Sequence, residues 1–92
     1  MFKFSLADKT KKVSMLPEQT RLAIREVKSD PDDVVRIGSA KFLSMLCAPK
    51  NRHHLADPNL QHEVVDALDA ALHDPNPRVQ KAAREGLRFL RR

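Results

Sequence analysis

A motif that recurs 44 residues along constrains this chain more than any other feature. Asp30-Pro31-Asp32-Asp33-Val34-Val35 returns as Asp74-Pro75-Asn76-Pro77-Arg78-Val79. An apolar stripe follows each copy. It is Val35, Phe42, Leu43 and Leu46 in the first, and Val79, Gly86, Leu87 and Leu90 in the second. A repeat of this period is the signature of helix pairs that bury a core by lying against one another. The pattern points to an architecture, and to a protein that acts by holding a partner. It does not name the partner.

Ninety-two residues make one domain with a modest core. No stretch approaches the length of a membrane span. The start, Met1 to Leu6, has neither the long apolar run nor the small-residue cleavage site of a secretory signal. A lone Cys47 excludes an internal disulfide framework and fits a reducing compartment, so the expected setting is soluble and cytoplasmic, with no membrane partner. The net charge of +5 is unevenly spread. Residues 1–16 hold four Lys against one Asp, residues 59–74 hold four acids and no Lys or Arg, and residues 75–92 hold six bases and one Glu. Such asymmetry creates acidic and basic zones that select partners by field.

The periodicity predicts four helices. The first runs from about Pro17 to Lys28, with Pro at a tolerated first-turn position and Ala23, Ile24 and Val27 on its apolar face. The second spans about Asp33 to Cys47, with Asp32 as N-cap and Pro49 beyond its end. Residues 48–58 read as a loop. The third helix covers about Asn59 to His73 with a stripe of Leu60, Val64, Ala67, Leu68 and Ala71. The fourth covers about Pro77 to Arg91, capped by Asn76, with a stripe at Val79, Ala82, Ala83, Gly86, Leu87 and Leu90. Gly86 lowers helix propensity there and marks a close helix–helix contact. Residues 1–16 form an N-terminal arm. Phe2, Phe4 and Leu6 alternate as in a short strand, and residues 6–15 allow one or two helical turns. The arm either caps the first helix pair or docks on another molecule, including a second copy of the chain.

A helix–turn–helix unit with Asp-Pro at the turn, then Val, then an Ala/Leu stripe resembles a HEAT repeat. The stretch 73–90, HDPNPRVQKAAREGLRFL, is closest to that pattern. The stretch 29–46 departs from it at Gly38 and Ser39, where the family usually has alanines. The resemblance implies an all-α fold of two stacked helix pairs, a short right-handed α-solenoid. Repeat 1 covers about 17–47 and repeat 2 about 59–92, with the second helix of each pair lining the concave side. The family often links neighbours through an Asp in the turn and an Arg after the Val. Asp74 and Arg36 match those positions, while Gln80 ends the ladder. HEAT proteins are overwhelmingly scaffolds and adaptors. Two repeats are few for independent stability, which favours a cap, self-association or a bound partner.

On helical wheels, the face opposite the apolar stripe of the fourth helix carries Lys81, Arg84, Arg88, Arg91 and Arg92. The same face of the second helix carries Ile37, Ala40 and Ser44, with Lys41 and Arg36 at its edges. A concave groove built from both would be half small and apolar, half cationic. The expected binding residues are therefore Ile37, Ala40, Lys41, Ser44, Lys81, Arg84 and Arg88, and the expected partner is an acidic or amphipathic segment of another protein. The basic stripe also reads as a solvated face beside a helix C-terminus. The alternative partner is nucleic acid, held weakly through its backbone by Lys3, Lys9, Lys11, Lys12 and the C-terminal arginines. No Trp or Tyr is present to stack on bases.

No catalytic residues are expected. His62, Asp66, Asp69 and His73 share one exposed helix face, an arrangement better suited to Asp–His pairing than to a metal. Cys47 reads as a small apolar residue rather than a nucleophile. Met45 and Phe89 hold equivalent places at the stripe margin, as core edge or as the rim of a partner site. No cofactor is implied.

Overall fold

The computed structural model describes residues 2–90, with side chains from residue 16 onward. Four α-helices run in order: α1 (Phe2–Ser29), α2 (Asp33–Cys47), α3 (Pro58–Ala71) and α4 (Pro77–Leu90). A 3-10 helix, Pro49–Leu55, joins the two pairs. The described residues contain no strand, so the chain is all-α. No helix among them is long and apolar enough to cross a membrane.

Local chemistry sets the boundaries. The Asp32 carboxylate accepts from the Val34 amide, Asp57 does the same for Asn59, and the Asn76 side chain accepts from Arg78 (2.8 Å). Each supplies an acceptor to a helix-start amide that has no partner within its own helix. Two expectations are corrected. Helix α1 begins at Phe2 and passes through Pro17, so the alternation at Phe2, Phe4 and Leu6 does not make a strand. Three alternating residues are weak evidence against a window with four Lys, two Leu and two Met, all good helix formers. Whether this segment caps the first pair depends on side chains outside the described residues. The segment expected as a loop holds the Pro49–Leu55 helix, which the fully covered Leu55 anchors in the core.

The core is continuous. Helix α1 contributes Ala23, Ile24 and Val27; α2 contributes Ala40, Leu43 and Leu46; α3 contributes Val64, Ala67 and Leu68; α4 contributes Val79, Ala83 and Leu87. Helix α1 packs on α2 and α3, and α4 packs on α2 and α3. Buried hydroxyls are satisfied: Thr20 donates to the Leu16 carbonyl within α1, and Ser39 of α2 donates to the Glu26 carboxylate of α1. No buried side-chain polar atom among the described residues lacks a partner, as a low-dielectric interior requires.

Side-chain contacts join the two halves of the chain. Lys28 Nζ meets Asp66 Oδ2 at 3.0 Å, Arg36 Nε meets Asp74 Oδ2 at 2.8 Å, and the Ser44 hydroxyl donates to the Ala82 carbonyl. In these three the partner lies 38 residues further on, while Asn76 Nδ2 donates to Asp33 Oδ2 across a difference of 43. The shared difference from Arg36–Asp74 to Ser44–Ala82 means that α2 and α4 run the same way, whereas antiparallel neighbours keep a constant sum. Gly86 makes the α2–α4 approach possible. A Cβ there would lie 2.8 Å from Ser44 Oγ and 3.0 Å from Ser44 Cα.

The turns repeat their hydrogen bonds at the 44-residue period. Asp30 Oδ1 accepts from the Asp32 amide, as Asp74 Oδ1 does from Asn76. Arg36 Nη1 donates to the Asp30 carbonyl, and Gln80 Nε2 donates to the Asp74 carbonyl. Arg36 additionally spans to the Asp74 carboxylate, with the two side chains 14% and 8% exposed. That hydrogen bond holds the Arg36 pKa above its ordinary value. Burial pushes the Asp74 carboxyl upward, but the Arg36 hydrogen bond, the Asn76 amide and the Arg36 charge outweigh it and leave its pKa lowered.

Candidate functional site

Helices α2 and α4 meet along a seam whose outer side opens into a groove of about 430 Å³. Residues Lys41 and Met45, one turn apart, come from α2; Glu85, Arg88 and Phe89 come from α4; the buried Ser44 and Ala82 lie at its base. A neighbouring hollow shares Lys41, Ala82 and Glu85 and adds Arg78 and Lys81, so the groove continues toward the start of α4. Along its length Lys41, Arg78, Lys81 and Arg88 face a single acid, Glu85. Met45 is 54% exposed, an unusual setting for a thioether. Its 44-residue counterpart, Phe89, stands across the groove and is partly buried against the core. The 3-10 helix supports this end: Arg52 donates to the Phe89 carbonyl at 2.9 Å and to the Cys47 carbonyl at 3.3 Å. An Arg placed there satisfies helix C-terminal carbonyls that have no intrahelical donor.

The seven residues expected to form one face divide into groups. Lys41, Lys81 and Arg88 are exposed and line the groove. Ser44 reaches its base, but its hydroxyl is engaged by Ala82. Arg84 is exposed on the outer side of α4, beside Leu72 and Leu87. Ala40 is corrected: it is fully covered and cannot touch a partner while the core holds. Ile37 is corrected in part, being half-buried against the core rather than open along a groove. The reason lies in the repeat. Ile37, Ala40 and Ser44 correspond to Lys81, Arg84 and Arg88. Helix α4 covers this face on α2, and no described element covers it on α4, so the wheel position is the same and the surroundings are not. Periodicity identified Met45 and Phe89 as equivalent margin residues. It missed Glu85 and Arg78, which join the groove through the α2–α4 seam. Arg91 and Arg92 lie outside the described residues, as do the side chains of Lys3, Lys9, Lys11 and Lys12.

Other reactive side chains have settled environments. Cys47 is buried and donates to the Leu43 carbonyl. Burial raises its thiol pKa to about 11, with the Arg52 charge opposing the shift in part, so no thiolate is present at neutral pH. Asp66 pairs with Lys28, and the His53 and His54 rings sit 4.0 Å apart at a tilt. Among the described residues no group of three or more His, Cys, Asp or Glu converges on a metal position. Compared with protein-family models, curated proteins and solved structures, the chain has no significant match.

Proposed function

We propose that this protein is a non-catalytic interaction module: a two-repeat, HEAT-like, right-handed helical stack that binds an acidic amphipathic helix of another protein in the α2–α4 groove. The observation that carries the reading is Met45, a large exposed thioether facing Phe89 in a groove flanked by Lys41, Lys81 and Arg88. Methionine conforms to varied apolar surfaces, and flanking cations select carboxylates and orient them. An amphipathic helix laid in the groove would place apolar anchors over Met45 and Phe89, with acids toward Lys41 and Arg88. The HEAT assignment is supported by the repeated turn chemistry, the Arg36–Asp74 bridge between pairs, and the Gln80 that ends it.

The test is fluorescence anisotropy with two labelled probes at equal ionic strength. One is a helical peptide with Leu at i, i+4 and i+7 flanked by Glu; the other is an oligothymidine single strand. Saturable peptide binding that weakens at least tenfold in Met45→Glu and in Arg88→Glu, each with unchanged melting, supports the groove. Oligothymidine binding that collapses with salt, alongside a silent peptide, would replace this reading with a polyanion surface.

A further inference from the structure

The repeat exposes a second surface, at the opposite side of α2. On α4, the residues Val79, Ala82, Ala83 and Gly86 are buried in the core, with Ser44 of α2 seated against Ala82 and Gly86. Their counterparts 44 residues earlier are Val35, Gly38, Ser39 and Phe42. These four line an open hollow together with Ala23 and Glu26 of α1. Val35 and Phe42 are half-buried and Gly38 is exposed. A Cβ on Gly38 would meet nothing within 4 Å, whereas one on Gly86 would collide with Ser44. The positions that seat a helix contact on α4 are therefore open on α2 among the described residues at Val35, Gly38 and Phe42, while Ser39 is buried and donates to Glu26.

The turn repeats the contrast in charge. Asp74 accepts a backbone amide on Oδ1 and the Arg36 guanidinium on Oδ2. Asp30 accepts the equivalent amide on Oδ1 and forms no salt bridge among the described residues, with only the through-space attraction of Arg36, which is bonded to its carbonyl. Asp32, Asp33 and Glu26 add negative charge nearby in sequence and on the facing helix.

We propose that this end of the first pair docks a cationic-ended amphipathic helix of another protein, in the register that α2 uses on α4. The required chemistry is legible from α2 itself. An Arg reaches the turn Asp, as Arg36 does, and small or apolar residues follow at the places of Ile37, Ala40 and Ser44. Phe42 in place of Gly86 makes the far end of the contact apolar and wider. A second copy of this chain is a poor occupant. The end face of its α4 would bring Lys81, Arg84 and Arg88 against Val35, Gly38 and Phe42, leaving cations buried without partners. This surface is separate from the α2–α4 groove, so either can fail alone.

The probe is a helix-stapled peptide reproducing residues 34–48, which carries Arg36 near its start and omits Asp32 and Asp33, with Cys47→Ser; it is titrated into the isotopically labelled full chain and followed by amide NMR. The expected result is saturable shifts at Asp30, Val35, Gly38 and Phe42. Asp30→Asn keeps the turn hydrogen bond and removes the charge; Gly38→Gln fills the hollow. Each is expected to weaken binding at least tenfold, Asp30→Asn with melting unchanged and Gly38→Gln with melting no lower than that of the parent chain. Shifts confined to Met45 and Phe89, or none at millimolar peptide, would overturn the proposal. So would self-association of the free chain that Gly38→Gln abolishes, or contacts from residues 1–15 to Phe42 in the free chain. Those results would assign the surface to a second copy or to the chain's own N-terminal segment.

Discussion

Helices α2 and α4 descend from one pattern and live in different surroundings. Both begin after an Asp-Pro turn, both carry an Asx-type cap, and Leu43 and Leu87 hold the same place in the core. They differ on the face beyond the core. There α2 carries Ile37, Ala40 and Ser44 and is covered, while α4 carries Lys81, Arg84 and Arg88 and meets water. Among the described residues another helix covers this face on α2 and none covers it on α4, and a face without a packing partner favours charged side chains that stay hydrated. Where they border Met45 and Phe89, the proposed function gives them a second use, in recognition.

Exchanging residues between equivalent positions tests this contrast. The largest effect is expected from Ala40→Arg, which places a guanidinium under α4 with no carboxylate to meet it. A loss of about 3–5 kcal/mol is expected in urea denaturation, while Arg84→Ala at the equivalent site should change stability by less than about 0.5 kcal/mol. Similar stabilities for the two variants would erase the distinction. Gly86→Ala comes next, because the new Cβ would overlap Ser44 and Leu68; a cost of about 1–3 kcal/mol is expected from the same measurement.

The Arg36–Asp74 pair adds a pH signature. The Asp74 pKa is lower in the folded chain than its ordinary value of 3.8. Its stabilisation is therefore complete above that value and is lost as pH falls through the lower folded one. Arg36→Gln, which copies Gln80, should flatten the acid limb of a stability–pH curve; an unchanged limb would mean that the bridge does not contribute. The smallest effect has the opposite sign. Gly38→Ala adds a methyl where nothing stands within 4 Å. It should stabilise the helix by about 0.5–1 kcal/mol, visible as a higher melting temperature.

Much of the fold was legible because the informative residues act locally. The Asp32 and Asn76 caps and the span of α2 follow from side chains bonding amides two residues away. Gly86 was legible as a contact because a helix-interior glycine costs helix propensity, and a close approach by another segment is the usual reason to tolerate that cost. The start of α1 was not, since a short alternation competes poorly with helix-forming neighbours. Nor was the 3-10 helix, whose Pro49 and paired His53 and His54 suggest a loop until Leu55 finds the core. The candidate site was half legible. Wheel positions correctly placed Lys41, Lys81 and Arg88 on the surface, and misjudged Ala40 because a wheel has no knowledge of a neighbouring helix.

The amino-acid sequence alone determined that this chain is helical, that its Asp-Pro turn and the helix after it recur 44 residues on, and that its charge is divided. Periodicity, capping and composition act over a few residues and survive without knowledge of the rest. Tertiary packing decided which of two identical wheel faces is covered. It seated Ser44 against Ala82, left Gly38 open, and brought Met45 opposite Phe89. Those outcomes depend on which helix lies across another, and burial is a property of that arrangement rather than of either helix.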